Sequence, residues 1–248
     1  MSIKIHNFKK PLVWLGIFAH PDDETTSSAG TMIKWVKDNN QAYIITGTRG
    51  EEGTLGTGSL KIKRENLGKV REAELRSNLN LFGVNPPYIF DYRDQNLDKE
   101  DVNILAKKIL PILNKLAPDL IITFGPSGIS SHSDHIAIHK AALLAYKYYK
   151  SDTSLNPILI YPSIPEDRAK QYGLELSEDE KKSDIIVDIK DTFKTKILGL
   201  KNYKSQEDAQ EIAKRFLEHQ FNYETFALSP INTLDNHSLK LIEYLKSL

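Results

Sequence analysis

The chain has 248 residues, of which 40% are hydrophobic and 27% are charged, a balance typical of a folded globular protein. Lysine plus arginine equals aspartate plus glutamate at 33 each, and no basic run occurs, so the composition lacks the electrostatic signature of a nucleic-acid-binding protein. The absence of cysteine excludes disulfides and thiolate ligands, so a metal ion would have to be bound by imidazole, carboxylate or carbonyl groups. We therefore expect a small-molecule partner.

The longest apolar run, residues 12–19, is too short to cross a bilayer. Lys9 and Lys10 precede it as basic residues precede the core of a signal peptide, but acidic residues stand where a cleavage site would lie. The sequence therefore predicts a cytoplasmic protein with no membrane partner.

Short runs rich in Ile, Val and Phe alternate with longer stretches of helical period, which is the pattern of βαβ units. Strands are predicted at 12–19, 42–46, 88–90, 120–124, 158–161 and 185–189. Helices are predicted between them at 27–38, 64–82, 102–116 and 134–150. This alternation predicts an α/β fold: a Rossmann-like, mostly parallel sheet flanked by helices, in a single domain.

The pattern changes after the fifth predicted strand. Residues 12–161 form the expected core, and the acidic, lysine-rich segment 162–183 is typical of a surface insertion. Residues 184–248 contain the last predicted strand and helices at 192–204, 208–219 and 239–246. The whole of 1–248 is therefore expected to be one domain.

A histidine and a group of acids follow the first predicted strand, in His20-Pro21-Asp22-Asp23-Glu24. This is the carboxyl end of a parallel strand, where open α/β sheets bind their ligands. A histidine and a carboxylate so close together can bind one ion as the chain turns into the helix. The alternative is that the acids only stabilise the amino end of that helix.

A second cluster follows the fourth predicted strand, where His132-Ser133-Asp134-His135 opens a helix. Each residue taken alone could be a packed or capping side chain. Three of the seven histidines nevertheless lie in these two short loops, each beside an acid. Two histidines and one aspartate would leave an open position for water on zinc, as in catalytic sites.

A competing pattern pairs His135 with His139, four residues apart as in zinc peptidases. The glutamate that serves as general base in that motif is absent between them. We therefore expect His139 to have a structural role.

The two motifs together, His20-Pro21-Asp22-Asp23-Glu24 and His132-Ser133-Asp134-His135, resemble those of the LmbE-like, or PIG-L, N-deacetylases. This resemblance implies that His20, Asp23 and His135 bind zinc, with ferrous iron as the alternative ion. It implies further that Asp22 is the general base, that His132 in its protonated form stabilises the transition state, and that Asp134 orients a neighbouring imidazole.

Two further matches support the resemblance: the segment from Thr48 to Gly53 and the helix that contains Arg71. By resemblance, Arg71 and Asp94 would bind hydroxyl groups of the substrate, although either could simply be a solvated charge. The chain departs from the family's pattern at Ser133, where a proline is usual, and at Tyr203, where a histidine is common. Neither residue is an expected metal ligand.

The resemblance implies that zinc-activated water removes an acetyl group from an N-acetylglucosaminyl conjugate. Two alternatives stay open: a non-catalytic nucleotide- or sugar-binding α/β module, and a hydrolase of the same fold that acts on another amide. A homo-oligomer is compatible with the sequence.

Overall fold

The computed structural model describes residues 8–248, and within them seven strands form one sheet. The strands are β1 (Val13–Phe18), β2 (Gln41–Thr48), β3 (Tyr88–Tyr92), β4 (Leu120–Thr123), β5 (Ile158–Pro162), β6 (Ile185–Asp188) and β7 (Tyr223–Leu228). Their order across the sheet is β3-β2-β1-β4-β5-β7-β6. The predicted mostly parallel sheet is confirmed, since only β7 runs antiparallel to its neighbours β5 and β6.

The chain changes direction across the sheet between β1 and β4. From β1 it moves outward to β2 and β3, and it then returns to pair β4 with the other side of β1. Such a switch point opens a crevice at the carboxyl ends of the two central strands, because the connections from them leave in opposite directions. The predicted metal-binding motifs follow β1 and β4, so the topology places both at this crevice.

Helices connect the strands and cover the sheet. They are α1 (Asp23–Lys37), α2 (Arg64–Phe82), α3 (Val102–Leu116), the single turn α4 (Gly128–Ser131), α5 (Ser133–Asp152), α6 (Glu166–Gln171), α7 (Phe193–Asn202), α8 (Glu207–Glu218) and α9 (Asn236–Ser247), with a short 3-10 turn at Leu97–Lys99. Right-handed crossovers place α1 and α2 on one face and α3 and α5 on the other. Contacts of α3 with α5, and of α1 and α2 with α7, agree with that division.

The central strands are buried on both faces, which explains their continuous apolar sequences. All residues of β4 are buried, as are all but the first of β1. The six predicted strands are present, and β7 is an additional strand that the sequence analysis did not predict. Helix α1 begins at Asp23, four residues earlier than predicted, so the acids of the first motif form its first turn.

A buried ion pair ties α1 to the antiparallel end of the sheet. Lys196 on α7 and Glu224 on β7 lie 2.6 Å apart, with side chains 3% and 4% exposed. In a regular α-helix the amide of Gly30 would pair with the carbonyl of Thr26. Here Glu224 accepts from the Gly30 amide at 2.9 Å, and Lys196 donates to the Thr26 carbonyl at 2.8 Å. The side chains of Glu224 and Lys196 are therefore both hydrogen-bonded to the backbone of the helix that carries Asp23.

Among the described residues, no helix is both long enough and apolar enough to cross a bilayer.

We predict that Lys196→Met lowers the free energy of unfolding by about 3–5 kcal/mol, because it leaves the Glu224 carboxylate buried without its cation. Urea denaturation followed by circular dichroism measures the change. Lys194→Met, at an exposed position of the same helix, is the matched control and should alter stability by less than about 0.5 kcal/mol. Equal stability of the two variants would show that the buried ion pair of Lys196 with Glu224 does not stabilise the fold.

Candidate metal centre and active site

Both predicted motifs lie at the carboxyl ends of paired strands. His20 and Asp23 follow β1, whereas His132, Asp134 and His135 follow β4 after the turn at residues 124–131. Although His20 and His135 are 115 residues apart in sequence, the Nδ1 atom of His20 lies 3.2 Å from the Nε2 atom of His135. The structure therefore brings the two loops together.

His20, Asp23 and His135 offer three ligand atoms to one point. Nε2 of His135 lies 3.4 Å from Oδ1 of Asp23, and Nδ1 of His20 lies 3.7 Å from Oδ2 of Asp23. Ligands of a tetrahedral zinc ion with bonds of about 2.1 Å are separated by about 3.4 Å. The spacing of the three side chains thus fits a divalent cation, and these side chains could hold one.

The tautomers of the two histidines support this arrangement. Nδ1 of His135 donates to the carbonyl of Gly128 at 3.0 Å, which leaves Nε2 with a lone pair. Nε2 of His20 lies 3.0 Å from Asp94 and 3.2 Å from Asp134, so it carries a proton, and in the neutral ring Nδ1 has the lone pair. In the neutral rings, two lone pairs and a carboxylate therefore face one another, and a cation bound between them, whether a proton or a metal ion, would stabilise this arrangement.

The pKa values of His20 and Asp23 also show that the site favours positive charge. Burial lowers the pKa of His20, but hydrogen bonds to Asp134 and Asp94 and the charge of Asp23 outweigh it and raise the pKa to about 10. Burial alone would raise the pKa of Asp23, but the neighbouring His135 and His20 hold it well below its usual range. The centre is therefore electron-rich, with Asp23 ionised.

His20, His132 and Asp134 form a second group with metal-ligand spacing. Both carboxylate oxygens of Asp134 are already hydrogen-bonded, because they accept from the amides of Gln95 and Leu97 at 2.8 and 3.0 Å. A carboxylate with both oxygens hydrogen-bonded to backbone amides is a poorer ligand than Oδ1 of Asp23. The first group is therefore the stronger candidate.

Asp22 lies beside the candidate metal site in a strained conformation. Its φ of 100° lies in the left-handed region, which costs a non-glycine residue about 1–3 kcal/mol. Its amide donates to the buried carboxylate of Glu24 at 3.0 Å, and the hydroxyl of Tyr203 donates to the same carboxylate at 2.8 Å. Glu24 and Tyr203 thus stabilise the turn that presents Asp22, a role that the sequence analysis did not predict for either residue.

Arg71 holds the side chain of Asp22. Its Nη2 atom lies 2.7 Å from Oδ2 of Asp22, and its Nη1 atom donates to the carbonyl of Gly50 at 2.9 Å. A Cβ atom on Gly50 would lie 2.1 Å from Nη1, so only glycine fits there, where φ is +64°. Burial raises the pKa of Asp22 well above its usual range even though the charge of Arg71 opposes that shift.

Asp94 and His132 complete the surroundings of His20. Asp94 is 5% exposed and also accepts from the amide of Glu52 at 2.9 Å. The His132 ring lies edge-on to His20 with centroids 4.9 Å apart, and Nδ1 of His132 accepts from the Asp134 amide at 3.1 Å. The proton of neutral His132 is therefore on Nε2, and burial together with the charges of His20 and His135 lowers its pKa.

Glu180 supports the turn that carries the carbonyl partner of His135. It is fully buried, although it belongs to segment 162–183, whose composition predicts a surface insertion. Its carboxylate accepts from the amides of Ser127 and Ile129 at 2.8 and 3.2 Å and from the Ser177 hydroxyl at 2.6 Å. Ile129 has a φ of 62°, so Glu180 stabilises a strained turn. The Ser-x-x-Glu spacing from Ser177 to Glu180 is a capping-box pattern and is the sequence signal for this residue.

His139 does not contribute to either candidate metal group. Its Nδ1 atom lies 2.8 Å from the carbonyl of Phe124, and the residue is 6% exposed. This position agrees with the structural role expected for it.

A cavity of ≈ 410 Å³ adjoins the site, and Asp22, Asp23 and His135 line one end of it. A small molecule could therefore reach the three side chains.

Both motifs lie within a region of the chain that matches a known protein family. Residues 15–146 match the family described as PIG-L, GlcNAc-PI de-N-acetylase. Over 196 residues the chain is 27% identical to a Bacillus cereus protein named "Probable N-acetyl-alpha-D-glucosaminyl L-malate deacetylase 2", which covers 79% of this chain and 84% of that protein.

Two solved structures share the fold. One is N,N'-diacetylchitobiose deacetylase from Pyrococcus horikoshii, with a TM-score of 0.68, 24% identity, and coverage of 90% of this chain and 85% of that chain. The other is 4-carboxy-2-hydroxymuconate hydratase from Pseudomonas putida, with a TM-score of 0.64, 14% identity, and coverage of 91% and 99% respectively. A deacetylase and a hydratase thus share this fold, so the fold alone does not determine the reaction.

We predict that Glu180→Gln weakens Zn²⁺ affinity by about 10- to 100-fold, the usual effect of disturbing the partners that orient a metal-binding histidine. The loss follows because the turn that holds the Gly128 carbonyl against His135 loses its carboxylate. Isothermal titration calorimetry with a competing chelator measures the affinity. Glu178→Gln, exposed on the same segment, is the control. An unchanged affinity in folded Glu180→Gln would show that Glu180 does not position His135.

Proposed function

Because this chain belongs to the PIG-L family of GlcNAc-PI de-N-acetylases, we propose that it is a metal-dependent hydrolase that removes the N-acetyl group from an N-acetylglucosaminyl conjugate. The observation that carries the proposal is the convergence of His20, Asp23 and His135. Their ligand atoms lie 3.2–3.7 Å apart, a spacing that suits three ligands of one cation. This set supports zinc as the ion, although two histidines and one carboxylate also suit ferrous iron.

When bound, such a cation acts as a Lewis acid that acidifies a water molecule and polarises the amide carbonyl. His20 and Asp23 would hold it from the β1 side and His135 from the α5 side. The outer nitrogens of both histidines are hydrogen-bonded, His20 to Asp94 and Asp134 and His135 to the Gly128 carbonyl. These contacts fix the rings so that their lone pairs face one point.

Asp22 would act as the general base. One of its oxygens is held by Arg71, and its other oxygen has no hydrogen-bond donor among the described residues. Burial raises the pKa of Asp22, which brings it closer to the pKa values of the water and the amine between which Asp22 would transfer a proton. A smaller difference in pKa favours proton transfer in both directions. Asp22 would therefore accept the proton of the attacking water and deliver it to the departing amine.

His132 would stabilise the negative charge that develops on the amide oxygen. The family resemblance implies a protonated His132, but its Nδ1 atom accepts a backbone hydrogen bond that protonation would break. This contact supports a neutral ring that donates through Nε2. A fixed N–H donor beside a buried site stabilises an oxyanion without any reorganisation at the moment of reaction.

Arg71 and Asp94, expected from the resemblance to bind substrate hydroxyls, are 4% and 5% exposed. Arg71 contacts Asp22, and Asp94 contacts His20. We assign both a positioning role: Arg71 for the base and Asp94, together with Asp134, for a metal-binding imidazole.

A non-catalytic nucleotide-binding module is the weaker alternative. Asp22, Asp23 and Glu24 form the first turn of α1 or its cap, where a phosphate would otherwise bind the helix amino end. Three carboxylates at that point would repel a phosphate.

We predict that His20→Ala and His135→Ala reduce the metal content of protein loaded with Zn²⁺ and then desalted. Each variant removes one of three protein ligands, and the wild type should retain about one ion per chain. Elemental analysis measures the content. His219→Ala, at an exposed histidine, should retain the ion. Equal metal content in all variants would contradict this ligand set.

We predict that Asp22→Asn lowers kcat for acetate release from an N-acetylglucosaminyl conjugate by about 10²–10⁴-fold while the bound metal is retained. Asparagine keeps the hydrogen bond to Arg71 but cannot accept the proton. Acetate release is followed by a coupled assay over a panel of conjugates, with Asp98→Asn, at an exposed site, as the control. Full turnover by metal-loaded Asp22→Asn would exclude Asp22 as the base.

A further inference from the structure

The cavity that adjoins the candidate metal centre has a different character from the centre itself. Its volume of ≈ 410 Å³ lies within the range of small-molecule sites. Asp22, Asp23 and His135 line one end, so whatever fills the cavity is continuous with the amide to be cleaved. The other residues that line the cavity therefore indicate which chemical groups the rest of the substrate carries.

Aromatic and aliphatic side chains form the walls away from the metal centre. They come from segments after β5, namely Ile164, Tyr172, Ile212, Phe216, Phe221 and Tyr223. The guanidinium of Arg168 lies over the rings of Phe221 and Tyr223, at 4.0 and 4.4 Å from their centroids. These stacked groups present flat, weakly hydrated surfaces to the cavity.

Three charged side chains of the lining are hydrogen-bonded within the protein. Lys196 and Glu224 pair with each other and with the backbone of α1, and Asp208 accepts from the Ala209 amide. The hydroxyls of Ser163 and Tyr172 are exceptions, because both are buried and have no hydrogen-bond partner among the described residues. These two hydroxyls can satisfy an ether or carbonyl oxygen, and the aromatic and aliphatic side chains of the lining offer apolar contact.

Resting on the proposed amide hydrolysis, we propose that the substrate carries a hydrocarbon or aryl group that this cavity binds. The group could be an acyl chain longer than acetyl on the amide, or an apolar aglycone on the sugar. Both present the same chemistry to the walls, and burial of each methylene is worth up to about fourfold in affinity.

The test uses the full chain loaded with Zn²⁺ and two series of compounds. The first varies the acyl group of N-acyl glucosamines from acetyl to hexanoyl. The second keeps N-acetyl and varies the glycoside from methyl to hexyl. We expect kcat/KM to rise along one series by up to about fourfold per methylene until the cavity is filled. The series that rises identifies where the apolar group is attached.

A variant that fills the cavity makes the test specific. Ile212→Trp on α8 should flatten the rise, expressed as the ratio of kcat/KM for the longest and shortest members of the series. This ratio, taken within one variant, cancels any loss of active protein. Leu217→Ala on the exposed face of the same helix is the control and should leave the ratio unchanged.

Hydrolysis of both series with no dependence on chain length would overturn the cavity proposal and leave the proposed function intact. If no compound is hydrolysed, the proposed function fails, and calorimetry with hexanoate and hexyl glucosaminide decides the cavity proposal separately. Binding of one of them that Ile212→Trp weakens supports it, and binding no tighter than that of acetate and methyl glucosaminide contradicts it.

Discussion

Parallel pairing of β1 with β4 is the constraint on which the site depends. The register that sets Ile17 against Thr123 ends both strands at the same edge of the sheet. The chain leaves that edge in opposite directions, so the loop of His20 and the loop of His135 face each other across a crevice. Any shift of this pairing by one residue would turn alternate side chains to the other face and separate the ligand atoms. The buried apolar sequences of the two strands therefore position the chemistry as well as the core.

The same crevice concentrates negative charge to an unusual degree. Its buried carboxylates are Asp22, Asp23, Glu24, Asp94 and Asp134. Among the described residues, Arg71 is the only lysine or arginine that forms an ion pair with any of them. Backbone amides and hydroxyls stabilise the rest, and His20 and His135 supply the remaining contacts. A divalent cation between the histidines would reduce the repulsion within this cluster.

The sequence predicted the parts of the molecule that depend on local pattern. Continuous apolar runs identified β1 and β4, and helical period identified α2 and α3 with their observed ends. Strand β7 was not predicted, because it is held by non-local pairing and carries the buried Glu224. The early start of α1 depends on the left-handed turn at Asp22, which Glu24 and Tyr203 stabilise from distant positions. The burial of such polar residues follows from long-range contacts that local pattern does not encode.

The proposed metal centre and the proposed apolar cavity come from different parts of the chain. The match to the family covers residues 15–146, which contain every proposed ligand and the proposed base. The cavity walls come mainly from later segments, such as Ile164 after β5 and Phe216 on α8. Those segments reach the site through β7 and the ion pair of Lys196 with Glu224, which fixes them to α1. The walls can therefore change from one relative to another without moving the ligands, provided that this buried anchor to α1 is kept.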